Sequence, residues 1–391
     1  MGVQRRADLP RLGSLGPSAR AVVRTLLLAG PLSRAELARR LERSPASLTK
    51  VTQPLLASGL IREDTAQTSE ARGRPGAPLV LRAELHLFLG VKVTADEVYA
   101  VRTDAAGRVE ATGHRTLDDV EPATVVDQIL DLVKELGRPG EIQALGIGIA
   151  GQMARFDDTV RGNIYLGWDD VPLGPILEEA TGIPTVVSGD ARALTAGVQW
   201  SGPGRGTSDF AVVTVGVGVG LGIVLGDTVL AGPTGRAGML GHHRVSASGP
   251  LCPLGHRGCA TAFLTTDAIT RGIGVPHGRA DLDLDQAIEL ADAGDAVALR
   301  VFADAGHALG VLVAQLVNLL GLPAVILAGD GLGMLAHARP AMEASVAEHL
   351  DPHATPPSVV AFSSGFDEWA RGAAVVACQW MLVDPPGAEP A

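Results

Sequence analysis

The stretch S-R-A-E-L-A-R-R-L-E-R-S-P-A-S-L-T-K-V-T-Q-P-L-L-A-S-G, Ser33 to Gly59, reads as two helices joined by a tight turn. Ser33 and Glu36 have the S-x-x-E spacing of a capping box, in which the serine oxygen and the glutamate satisfy backbone N–H groups reciprocally. Leu37 and Leu41 then fall on one face. The second helix opens at Ser44-Pro45, an oxygen cap followed by proline at the first helical position, and closes near Gly59 as a C′ glycine. Ala19 to Ala29 supplies a short apolar-rich helix ahead of them. Three short helices with tight connections fit a helix-turn-helix.

In the third helix Leu48, Val51, Leu55 and Leu56 make the inward stripe, which leaves Ser47, Thr49, Lys50 and Gln53 outward beside the cap Ser44. Such side chains reach base edges and phosphates. Pro54 removes a backbone donor and disturbs the carbonyl near Lys50. After the helix, L-I-R-E-D and A-P-L-V-L-R read as the two strands of a hairpin whose loop holds A-R-G-R-P-G. Arg72 and Arg74 on that narrow tip suit minor-groove or phosphate contact. The head, residues 1–82, is expected to be a winged helix-turn-helix that binds double-stranded DNA. Packing of the wing against protein is the competing reading.

Charge separates the head from the rest. Residues 1–82 carry 14 Lys and Arg against 6 Asp and Glu, whereas residues 83–391 carry 18 against 37. The net charge of −11 therefore hides a basic head on an acidic body. Three cysteines in 391 residues make no disulfide framework, which points to a reducing compartment. No export signal is evident near the N-terminus, and the longest apolar tract, from Val311, is broken by Gln315, Asn318, Gly321 and Pro323. It reads as a buried helix, a turn and a buried strand, and the expectation is a cytoplasmic protein without a membrane partner.

From His86 onward apolar runs alternate with helical stretches: L-F-L-G-V-K-V, A-L-G-I-G-I-A, T-V-V-S-G-D, the long run A-V-V-T-V-G-V-G-V-G-L-G-I-V-L, and A-V-I-L-A-G-D. Strands interleaved with helices imply α/β layers. T-D-A-A-G-R-V-E reads as a hairpin turn, so the sheets are mixed.

The order of winged helix, G-I-G-I-A-G-Q, G-N-I-Y-L-G-W-D-D-V-P-L, S-G-D-A-R-A-L, the glycine run from Gly216, A-G-M-L-G-H, C-P-L-G-H-R-G-C and a terminal R-G-A-A resembles the ROK family of repressors, open reading frames and sugar kinases. The resemblance implies that residues 83–391 form a two-lobed actin-like, ribonuclease H-like ATPase-type domain. Lobe one is expected near 83–200 and lobe two near 201–391, with the last helix in lobe two or returning to lobe one.

A family kinase needs an early D-x-G-x-T turn for phosphate, a second glycine turn and an aspartate base. Here the first region reads G-V-K-V-T-A-D-E, with Lys92 where the family's aspartate falls. Gly216, Gly218 and Gly220 stay, but Val217 takes the threonine position. Asp190 matches the base, with Gly189 in place of its asparagine neighbour. Neither kinase activity nor ATP binding is expected.

Carried over one by one, the family's sugar-gripping positions fall on Asn163, Gly189, Asp190, Met239, His242 and Thr261. Asn163, Asp190 and His242 keep the family chemistry, whereas Met239 and Thr261 replace glutamates. Losing two carboxylates removes charge-assisted bonds of about 1.5–3 kcal/mol each. A changed, sugar-like effector is one reading, and a vestigial cleft with Asp190 serving only as a helix start is the other.

The family's zinc spacing, H-x9-C-x-C-x4-C, gives His242, Cys252, Leu254 and Cys259 here, so one ligand is missing. His256, between the cysteines, is the nearest replacement, with His243 a second candidate. The expected set for a structural zinc is His242, Cys252, His256 and Cys259, against a metal-free loop with two small buried thiols. Taken together, these readings predict a DNA-binding transcriptional regulator, a repressor of carbohydrate metabolism acting as a homodimer or homotetramer on a pseudo-palindromic operator. A constitutive regulator without an effector, and a sugar kinase, are the alternatives.

Overall fold

A computed structural model describes residues 11–64, 77–137, 140–153, 158–232, 235 and 237–383. Two compact units divide the chain: residues 1–206 with 366–391, and residues 207–365.

The first unit begins with α1 (Pro17–Ala29), α2 (Arg34–Arg40) and α3 (Pro45–Ala57). Both halves of the capping box at Ser33 and Glu36 are present, and Ser44 accepts the Ser47 N–H at the start of α3. α3 runs through Pro54 to Ala57, and Gly59 leaves it with φ of 71°. The inward stripe differs from the sequence expectation. Leu48, Thr52 and Leu55 are buried while Val51 and Leu56 are half-buried, because Thr52 returns its hydroxyl to the Leu48 carbonyl at 3.0 Å and so can face inward. β1 (Ile61–Glu63) and β2 (Leu79–Leu81) pair antiparallel, Ile61 opposite Leu81, as the base of the wing.

There follow β3 (Leu87–Val93), β4 (Glu97–Asp104), β5 (Val109–Thr116), α4 (Pro122–Leu136), β6 (Ile142–Ile149), α5 (Leu173–Thr181), β7 (Thr185–Gly189) and α6 (Asp190–Ser201). The sheet order is β5-β4-β3-β6-β7, antiparallel on the β4 side of β3 and parallel on the β6 side. β3 and β6 are buried along their whole length, as strands covered on both faces must be.

The second unit repeats this plan. β8 (Phe210–Val215), β9 (Val219–Leu225) and β10 (Thr228–Val229) form the antiparallel side, so the long glycine-rich run is a hairpin that turns at Gly216 to Gly218. After α7 (Thr261–Leu264), α8 (Thr266–Gly274), α9 (Leu284–Asp292) and α10 (Ala296–Leu320) come β11 (Ala324–Ala328), α11 (Leu335–His349) and β12 (Ser358–Ala361). The order β10-β9-β8-β11-β12 has β11 and β12 parallel to β8. α10 is long and apolar enough to cross a bilayer, but Phe302, Leu309, Leu312 and Val313 are buried in this unit's core. It is a core helix.

α12 (Phe366–Val383) belongs to the first unit, packing on β3, β6 and α6. Gly146 makes that possible, since a Cβ there would lie 1.9 Å from the Ala373 carbonyl oxygen. Gly372, from the R-G-A-A motif, lets α12 cross α6, where a Cβ would come within 2.2 Å of the Ala193 oxygen. Two mixed five-stranded sheets of identical order, each covered by helices, give the actin-like α/β architecture, carrying an N-terminal winged helix.

Candidate functional site

On α3, Ser44, Thr49, Lys50 and Gln53 are exposed and Ser47 is half-buried. Ser44 and Thr49 already spend polar atoms on the helix, Ser44 as cap and Thr49 by donating to the Pro45 carbonyl at 2.9 Å. Lys50 and Gln53 have the longest side chains of these five α3 residues and no side-chain partner among the described residues. Arg72 and Arg74 lie outside the described residues.

In the first unit, Asp190 is the first residue of α6, its Oδ1 accepting the Ala191 N–H at 2.7 Å. Its Oδ2 takes a 2.7 Å ion pair from Lys92 on β3. Lys92 is buried, with its Nζ 5.2 Å from the Trp369 ring centre, while the Asp190 side chain is 26% exposed. Gly189 ends β7 beside Ile149 and is the N-cap of α6 without a side chain to contribute. Asn163 is buried, and its Oδ1 accepts the N–H groups of Tyr165 and Leu166, both at 3.0 Å. That oxygen is spent on holding a turn, so Asn163 has only its amide nitrogen to offer a ligand.

In the second unit, Met239 is 60% exposed and Thr261 donates to the Gly241 carbonyl at 2.7 Å. Gly216 sits under Asp330, whose Oδ1 lies 1.7 Å from where a Cβ on Gly216 would be. The glycine turn therefore faces a carboxylate. Sequence reading did not anticipate this contact, since Asp330 lies 114 residues from Gly216.

Ligand atoms of His242, Cys252, His256 and Cys259 all lie within 4.8 Å of one another. Both cysteines are buried, and His242 Nδ1 is 3.6 Å from Cys252 Sγ. Donors on a tetrahedral zinc, about 2.3 Å away for sulfur and about 2.0 Å for nitrogen, stand about 3.5 Å apart along a nitrogen–sulfur edge. The donor set thus fits a tetrahedral metal with small closing movements. His243 is turned elsewhere, with Nε2 2.8 Å from Gln315 Oε1.

Residues 88–379 match the ROK family. The chain belongs to the ROK family. The DNA-binding transcriptional repressor Mlc of Escherichia coli (strain K12) is 26% identical over 335 residues, 82% of either chain. The crystal structure of a ROK family transcriptional regulator, a homologue of E. coli Mlc, shares the fold with a TM-score of 0.79 at 24% identity, covering 94% of this chain and 96% of that one. A ROK family glucokinase from Streptomyces griseus, solved with glucose and AMPPNP, matches at TM-score 0.65 and 28% identity over 75% of this chain and 99% of its own. Repressors and kinases both stand among the similar ROK proteins, so the site residues themselves must decide between them.

Proposed function

We propose that this ROK protein is a cytoplasmic DNA-binding transcriptional repressor, controlled by a sugar-like metabolite and without kinase activity. The observation that carries the DNA reading is the capped three-helix head with its paired wing base, which leaves Lys50 and Gln53 exposed on α3 without a side-chain partner among the described residues. α3 enters the major groove, and Arg72 and Arg74 contact the backbone or minor groove. A single winged helix makes few contacts, so two heads in a homodimer or homotetramer read the operator.

Three observations weigh against phosphoryl transfer. Lys92 neutralises the carboxylate that would serve as base, Asp330 sets a negative charge over Gly216, and Val217 offers no hydroxyl. Developing negative charge on a phosphoryl group needs donors and cations at that turn. The effector positions implied by the family resemblance are Asn163, Gly189 and Asp190 in the first unit and Met239, His242 and Thr261 in the second, and Asn163, Asp190, His242 and Thr261 are the polar ones among them. A ligand acts by favouring one of two states that differ in head placement.

We further assign His242, Cys252, His256 and Cys259 to a structural zinc. Nδ1 of His242 on the metal leaves Nε2 for a ligand, so the zinc would order a loop that also serves recognition.

The deciding experiment measures binding to a duplex selected from random-sequence DNA, as a function of salt. Lys50→Ala should weaken binding on all duplexes and lower the salt slope by about 1 per head. Joint replacement of Lys50 and Arg74 by alanine with no effect on affinity would refute this DNA surface.

A further inference from the structure

Gln143 is a buried polar residue in a strand otherwise made of apolar residues and glycine. Its place in the ladder is irregular: Leu87 pairs with Ile142 and Phe88 with Ala144, so Gln143 is the extra residue of a bulge between β3 and β6. A bulge re-aims one side chain at small cost to the sheet. Here Gln143 Oε1 accepts the backbone N–H of Leu12 at 3.0 Å, across 131 residues of sequence. Its Nε2 meets His86 Nδ1 at 2.5 Å.

The polarity of this relay runs one way. Because Oε1 receives an N–H, the amide nitrogen must face His86, Nδ1 must accept, and the imidazole proton sits on Nε2. His86 Nε2 has no partner among the described residues. Leu12 and His86 have no exposed surface. Leu12 opens a short turn, Leu12–Ser14, that packs on α12 just ahead of α1, which also touches α12. An apolar side chain would fill the bulge equally well, but only directional bonds fix how the segment leading into α1 sits. The other ends of the same two strands carry Lys92, paired with Gly148, and Ile149, paired with Gly189 beside Asp190.

We propose that Gln143 is the positioning residue that seats the DNA-reading head on the first unit, through the buried relay from Leu12 to His86, at the end of β3 and β6 opposite Lys92 and Asp190. The proposal rests on the DNA-reading function above, since seating matters there by fixing the spacing of two heads in the oligomer.

The test uses the full chain with Gln143→Met, and Gln143→Asn as a second, still polar variant should the first fail to fold. Two probes are used: a two-half-site duplex selected from random-sequence DNA by the unsubstituted chain, and its single half-site. Expected are unchanged half-site affinity within about twofold, binding to the two-half-site duplex weakened about tenfold, and amide exchange at Leu12 faster by about tenfold. Equal loss on both duplexes, or none on either, overturns the proposal. Should the unsubstituted chain select no duplex, the DNA reading itself fails, and unchanged exchange at Leu12 would separately overturn the seating.

Discussion

Lys92 Nζ lies 2.7 Å from Asp190 Oδ2, so the one carboxylate that matches a kinase base is held by a buried cation of the same unit. The pair ties the middle sheet strand β3 to the first turn of α6, with Trp369 of α12 against the ammonium. It is both a structural clasp and a change of chemistry.

Removing one partner is expected to cost unequal amounts. Asp190→Ala leaves a buried ammonium unpaired and should destabilise by about 3 kcal/mol, whereas Lys92→Met fills the same space without charge and should cost about 1 kcal/mol. Urea unfolding of the two variants side by side checks the order. Equal costs would mean that the ammonium reaches water.

With Mg-ATP and a panel of aldohexoses, no sugar phosphate should form. Asp330→Ala removes the carboxylate over Gly216, yet should not restore turnover, because Val217 and Lys92 remain. Product detection by mass spectrometry settles both cases.

Elemental analysis should find about one zinc per chain, bound through four donors. His256→Ala and Cys259→Ser should each lose the metal and lower the melting temperature, while His243→Ala should keep it. Retention of zinc by His256→Ala would remove that residue from the ligand set.

Burial pushes the His86 imidazole down to about 4. In the unfolded chain it titrates near 6.5, so between these values the unfolded state holds more protons and stability falls as pH is lowered. The contribution is fully present above about pH 6.5, is reduced by about 2 kcal/mol at pH 5 and by about 3 kcal/mol below pH 4. His86→Phe should flatten that part of the pH profile, measured as urea midpoints between pH 7 and 4.5.

Local signals made the head legible. Ser33 with Glu36, Ser44 with Pro45, and Gly59 each act within one helical turn, and each stands where the sequence put it. The hairpin at T-D-A-A-G-R-V-E and the helix–turn–strand from Val311 were equally local. The glycine-rich run gave no sign of its turn, because apolar residues and glycines alternate through it without a break. β12 was missed as an exposed edge strand with little apolar pattern. At the site, the family's zinc pattern implied His242, Cys252 and Cys259, with His256 as the nearest replacement for the missing cysteine, and the four donors do lie together. Lys92 on Asp190, Asp330 on Gly216 and Gln143 on Leu12 bridge 98, 114 and 131 positions, distances over which sequence periodicity carries no information.

The course of α12 has an outcome for biosynthesis. The ribosome makes this helix only after the whole of the second unit, although β3, β6 and α6 need it as their cover. A nascent chain can therefore form its capped reader early, but the platform that holds Leu12 stays uncovered until α12 emerges. A chain that stops before Phe366 would lack the cover of β3, β6 and α6 together with the surface on which the Leu12–Ser14 turn packs.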